Sequence, residues 1–257
     1  MRMVHPLRAT GPLALLTLVA VLALLAVLGG LAATVGLGLA GWLVGAAGGV
    51  VVNALLARGL ARRGEGRLGP ADRVTLARAT LTCGVAALTA DSLLAPTPGR
   101  TLVAPSVVAV SVVALLLDAV DGRVARRTGT VSRLGARFDM EADAYLILVL
   151  SAYVAAGTGP WVLAIGGARY ALLGAGWALP WLRGSVPPRH WAKVVAATQG
   201  AVLTCAAARV LPGRWTEVAL AVAIVLLAES FGREVWTLWR ARSTGRSLVA
   251  AVSPWRG

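Results

Sequence analysis

The chain has 257 residues, of which 58% are hydrophobic and 14% charged, and its mean hydropathy is +0.76. A soluble domain carries roughly 25% charged residues, so this composition excludes an ordinary globular protein and points to an integral membrane protein. The net charge of +14 does not indicate a nucleic-acid partner, because the basic residues flank apolar runs, as cytoplasmic loops beside anionic headgroups do. Cys83 and Cys205 each sit in an apolar run with no Cys or His at ligand spacing, which argues against a disulfide framework or a zinc site.

Hydropathy predicts an all-α polytopic protein with about eight transmembrane helices. The spans are expected near residues 12–33, 37–57, 74–95, 102–121, 138–156, 161–182, 192–211 and 217–239. The first run is longer than a signal-peptide core and reads as an uncleaved span. A Gly-rich turn alone separates it from the second, so the pair forms a hairpin, with a re-entrant form as the alternative. The basic stretch around 58–72 is too short to cross and reads as an interfacial linker on the cytoplasmic face.

Positive charge orients the spans. With a cytoplasmic N-terminus, the inner segments hold Arg2 and Arg8; Arg58, Arg62, Arg63, Arg67 and Arg73; and Arg123, Arg126, Arg127, Arg133 and Arg137. Further along they hold Arg183, Arg189 and Lys193, then Arg240, Arg242, Arg246 and Arg256. The outer loops keep Arg100, Arg209 and Arg214. An odd number of spans would destroy this asymmetry, so both termini are expected on the cytoplasmic side of the cell membrane. Trp161, Trp191, Trp215, Trp236 and Trp239 fall near span ends, where indoles anchor at the interface.

The fourth and fifth spans carry the chemistry. Asp118, Asp121, Gly122, Ala125, Arg126, Gly135, Asp139 and Asp143 follow the pattern Asp-x2-Asp-Gly-x2-Ala-Arg-x8-Gly-x3-Asp-x3-Asp. Intramembrane carboxylates are costly and functional by default. Helical spacing puts Asp118, Asp121 and Ala125 on one face and Gly135, Asp139 and Asp143 on another, with Glu141 turned away. Two antiparallel helices joined around Thr128-Gly129-Thr130 would bring the four aspartates into one cytoplasmic pocket. Such carboxylates need a counter-charge, and hard oxygen donors favour Mg²⁺ or Mn²⁺, with four of them suiting a pair of ions. Gly122 and Gly135 leave room for a ligand, and Arg126 offers a fork to a phosphate. Helix-end ion pairs with Arg123, Arg127 and Arg137 would not require this spacing.

This pattern resembles the signature of the CDP-alcohol phosphotransferase family at every specified position, and the similarity covers about residues 70 to 240. The resemblance implies a six-helix membrane core, usually a homodimer, that transfers a phosphatidyl-type group from a CDP-linked lipid, such as CDP-diacylglycerol, to an alcohol with release of CMP. It implies that Asp118, Asp121, Asp139 and Asp143 hold the metals, with Asp143 also the general base, and that Gly122, Ala125, Arg126 and Gly135 accommodate the cytidine nucleotide. The expected layout is an N-terminal hairpin over 1–57, the linker over 58–72, the family core over 73–240 and a basic tail over 241–257.

Outside the motif, Pro70-Ala71-Asp72-Arg73-Val74-Thr75-Leu76-Ala77-Arg78 is similar to the Pro-Asn-x2-Thr-x2-Arg opening of the family's first core helix, with Asp72 in place of Asn. Thr75 and Arg78 share a face suited to a lipid phosphate; a snorkelling Arg is the alternative. Arg169 lies within an apolar span and would face an anionic acceptor. Lys193 and Gln199 faintly resemble an acceptor-binding segment of phosphatidylglycerophosphate synthases. Glu229 and Arg233, four residues apart, are expected to pair. Asp91 is placed at the outer end of its span, and His5 and His190 on the surface.

Two other functions use the same residue types. An intramembrane prenyltransferase also holds Mg²⁺ with aspartates, but its boxes lie far apart in sequence. A divalent-cation transporter would place its carboxylates near the bilayer midplane rather than toward one face.

Overall fold

A computed structural model describes residues 10–63, 70–96, 101–128, 133–184 and 190–243. Eight α-helices and two short 3₁₀ segments account for nearly all of them, and no strand occurs among the described residues. The helices are α1 (Thr10–Val35), α2 (Leu39–Arg63), α3 (Pro70–Leu94), α4 (Val103–Thr128), α5 (Arg133–Thr158), α6 (Leu163–Ala178), α7 (His190–Ala207) and α8 (Gly213–Ser243). Each falls on one of the eight expected spans. Four contain stretches long and apolar enough to cross a bilayer: Thr17–Val35, Leu39–Arg58, Val103–Val120 and Phe138–Thr158. The other four are shorter or more polar. α6 has 16 residues, roughly 24 Å of helix against a hydrocarbon core of about 30 Å.

Two helix ends differ from expectation. α2 continues through Arg63, so the first residues assigned to a surface linker are helical. α4 runs to Thr128 and α5 starts at Arg133, so the motif aspartates sit one to three turns inside their helices rather than at the ends. Local charge drove the expected boundaries inward, yet a helix satisfies its own backbone hydrogen bonds as it leaves the apolar layer and has no reason to stop there.

The chain divides into two compact units, Met1–Val149 and Leu150–Gly257, with the division inside α5. In the first unit α3 is the central helix, packed against α1, α2 and α4. Leu24 and Leu28 of α1 meet Cys83 and Ala87 of α3, with Trp42 of α2 and Tyr145 of α5 at the edge of the cluster. A smaller cluster joins Ala20, Leu56 and Leu76. The two N-terminal helices thus share a core with α3.

Close approach of α2 depends on small residues, the usual basis of helix packing without a hydrophobic drive. A Cβ at Gly41 would come 2.9 Å from the Ala87 carbonyl, and one at Gly48 would come 3.2 Å from Cys83 Sγ. α1 ends at Gly36, whose φ of 77° is left-handed and whose N–H bonds the Ala32 carbonyl at 3.0 Å. α2 then begins against Asp91, which is buried. Its carboxylate accepts the backbone N–H of Gly38 at 2.9 Å and of Gly41 at 3.4 Å. A side chain at the far end of α3 therefore caps α2.

In the second unit, α7 and α8 pack together. Gln199 is buried and donates through Nε2 to the Ala223 carbonyl at 2.8 Å. The expected Glu229–Arg233 ion pair forms. Trp236 and Trp239 stack at 5.2 Å between ring centroids.

Candidate active site

Three of the four motif aspartates converge. Asp118 of α4 and Asp139 and Asp143 of α5 each offer an oxygen, and these oxygens all lie within 4.8 Å of one another. Asp121, Gly122, Ala125 and Arg126 belong to the helical part of α4, and their side chains lie outside the described residues. Gly135 is half-buried on α5, two residues past its start.

A third helix contributes the element that spacing within the motif does not reveal. Arg78 of α3 is 1% exposed, and its guanidinium binds all three carboxylates. Nη1 donates to Asp118, while Nη2 donates to Asp139 and stands 3.0 Å from Asp143 Oδ1. Nη2 also donates to the Asp139 backbone carbonyl at 3.1 Å. The planar fork suits such multidentate contact with carboxylates; a lysine could not span it. Arg78 is held from its own helix as well, since the Thr82 hydroxyl donates to its carbonyl at 3.0 Å. Thr75, one turn earlier on the same face, is buried.

The carboxylates are 32–39% exposed while Arg78 is sealed beneath them. Solvent therefore reaches the acidic side of the cluster and not the basic side. Among the described residues, three carboxylates meet at one guanidinium. Hard, clustered oxygen donors of this kind fit a divalent ion of the Mg²⁺ or Mn²⁺ type.

The remaining sequence-predicted residues belong to the second unit. Arg169 is half-buried on α6, and Lys193 is exposed in the first turn of α7. Gln199 is buried on α7, where its amide nitrogen donates to the Ala223 carbonyl of α8 and its Oε1 meets no partner among the described residues. The Arg78–aspartate pairing was hidden because the arginine is on α3 and its partners are on two other helices, α4 and α5. The hint was a buried-type Arg at the fourth position of Thr75-Leu76-Ala77-Arg78, with no acidic residue at helical spacing to meet it.

An all-helical, membrane-type protein with a carboxylate centre held around an arginine is the class that fold and site define. The chain belongs to the CDP-alcohol phosphatidyltransferase family, whose model matches residues 68–229. No match was found among curated protein sequences or among solved structures. The family transfers phosphatidyl-type groups from CDP-alcohols and is typically dependent on a divalent metal. Membership separates the chain from both prenyltransferases and cation transporters.

Proposed function

We propose that the protein is a CDP-alcohol phosphatidyltransferase of phospholipid synthesis. It moves a phosphatidyl group from a CDP-linked lipid, CDP-diacylglycerol in the leading case, to a polar alcohol and releases CMP. The observation that carries this reading is the convergence of Asp118, Asp139 and Asp143 within 4.8 Å in a chain of this family.

In this reading Asp118, Asp121, Asp139 and Asp143 hold Mg²⁺ or Mn²⁺, two ions matching the four carboxylates. Such ions, when bound, neutralise the pyrophosphate and stabilise the departing CMP. Gly122, Ala125, Arg126 and Gly135 receive the cytidine nucleotide. Asp143 takes the proton of the acceptor hydroxyl as its oxygen bonds to the lipid-side phosphorus, and the bond from that phosphorus to the CMP oxygen breaks. Arg78 keeps the carboxylates aligned from below. That makes it a positioning residue, in place of the direct phosphate contact suggested by its sequence alone. Thr75 is buried beside it on the same face of α3.

Arg169 and Lys193 are assigned to the acceptor, which favours one that carries its own phosphate, such as glycerol 3-phosphate or an inositol phosphate. The eight helices are taken as eight crossings, a six-helix core preceded by the α1–α2 hairpin, with both termini and the site cytoplasmic by the distribution of Arg and Lys. A homodimer is the expected assembly.

The test is to incubate purified protein with CDP-diacylglycerol, Mg²⁺ or Mn²⁺ and a panel of alcohols, and to follow CMP and the lipid product. Metal-dependent CMP release with one acceptor of the panel is expected. Failure to form CMP with any acceptor, or equal turnover in excess chelator, would remove the proposal.

A further inference from the structure

At the shared end of α7 and α8, the second unit carries a groove of about 420 Å³ lined by Trp191, Arg233, Trp236 and Thr237. We propose that it binds the phosphate headgroup of an anionic phospholipid. Its walls are two indoles, Trp191 at the second residue of α7 and Trp236 near the end of α8, 45% and 53% exposed. Both fall where the sequence ends a span, the depth at which indoles sit among headgroups.

The polar groups are arranged for an anion. Arg233 is 68% exposed at its side chain, and the guanidinium of Arg240 lies 5.0 Å from the Trp236 ring centroid. Glu229, Arg233, Trp236, Thr237 and Arg240 share one face of α8 by helical spacing. Glu229 is the single acid of that face, and both of its oxygens are engaged. Oε1 receives Arg233 Nε, and Oε2 receives the Trp191 indole N–H at 2.8 Å. Arg233 and Arg240 outnumber Glu229 on this face of α8, which leaves the face beside the groove formally positive. A choline headgroup would need an available acid, yet both oxygens of Glu229 are committed. The Trp191–Glu229–Arg233 chain also fixes the mouth, because it ties the start of α7 to α8.

Purified full-length protein in detergent doped with phosphatidylglycerol or phosphatidylcholine can be examined by native mass spectrometry, counting retained lipid. Wild type should retain phosphatidylglycerol in preference to phosphatidylcholine. Arg233→Gln with Arg240→Gln should weaken that retention about tenfold, the scale of losing a charge-assisted hydrogen bond. Arg233→Lys with Arg240→Lys, which folds with the same charge, should keep most of it. Equal retention of both lipids by wild type, or wild-type retention by the glutamine variant, would overturn the proposal. Displacement of the lipid by millimolar glycerol 3-phosphate would also overturn it, by assigning the groove to a soluble phosphate ester.

Discussion

Arg78 Nη2 stands 3.0 Å from Asp143 Oδ1, and the same guanidinium holds Asp118 and Asp139. The proposed base is thus oriented by a buried cation on another helix before any substrate arrives. α3, α4 and α5 are joined at this point by charge rather than by apolar packing. The cation is sealed inside, while the carboxylates are 32–39% exposed.

Replacing Arg78 with Met should therefore destabilise the protein by about 3 kcal/mol, the low end for breaking a buried pair, because the carboxylates still reach water. Thermal unfolding in detergent reads this as a lowered midpoint. Millimolar Mn²⁺ should raise the variant's midpoint more than the wild type's, since it then supplies charge that the guanidinium no longer provides. Equal midpoints with and without Mn²⁺ would show that Arg78 does not organise the cluster.

Asp143→Asn keeps the shape and one acceptor oxygen but cannot take a proton at neutral pH. Turnover should fall by at least about 100-fold, the usual contribution of a general base, while much of the nucleotide binding is retained through the other three carboxylates. Glu141, two residues earlier on a different side of α5, is the control, and Glu141→Gln should turn over like wild type. Matching losses in the two variants would mean that general damage to α5, not proton transfer, is being measured.

Much of this was legible from spacing. Helical periodicity alone put Asp118 on one face of α4 and Asp139 with Asp143 on one face of α5, and it paired Glu229 with Arg233. Such contacts within one helix, or across one turn, follow from 3.6 residues per turn. What stayed hidden needed a third helix. The sequence offers Arg78, with Thr75, to a lipid phosphate on the resemblance of its segment, since its carboxylate partners lie on other helices; the cap that Asp91 gives α2 carries no sequence signal, because its partners are backbone N–H groups. The glycines of α2 were equally silent, since only the neighbouring helix shows that Gly41 and Gly48 are contact surfaces.

Asp91→Ala should cost about 1–2 kcal/mol, the scale of a lost helix cap, because the N–H groups of Gly38 and Gly41 lose their acceptor in a buried setting. The carboxylate cluster is not touched, so metal-dependent CMP release at a temperature well below unfolding should be preserved. Asp91→Asn retains an acceptor oxygen and should recover part of the loss. A thermal midpoint unchanged in the alanine variant would show that the start of α2 is held by packing alone.

The α2 glycines give a graded test of helix approach. Gly30 of α1 has nothing within 4 Å of an added Cβ, so Gly30→Ala should stabilise by about 0.5–1 kcal/mol through helix propensity alone. At Gly49 the Cβ would meet Leu24 Cδ2 at 2.1 Å, the mobile end of a side chain, and a rotamer change can offset much of that clash. At Gly41 the obstacle includes the Ala87 backbone carbonyl at 2.9 Å, which cannot rotate away and must move with α3. Gly41→Ala should therefore cost about 1–3 kcal/mol and exceed Gly49→Ala, even though the Gly49 contact is the shorter. Thermal midpoints ranking Gly49→Ala below Gly41→Ala would refute the view that backbone contact between α2 and α3 sets their separation.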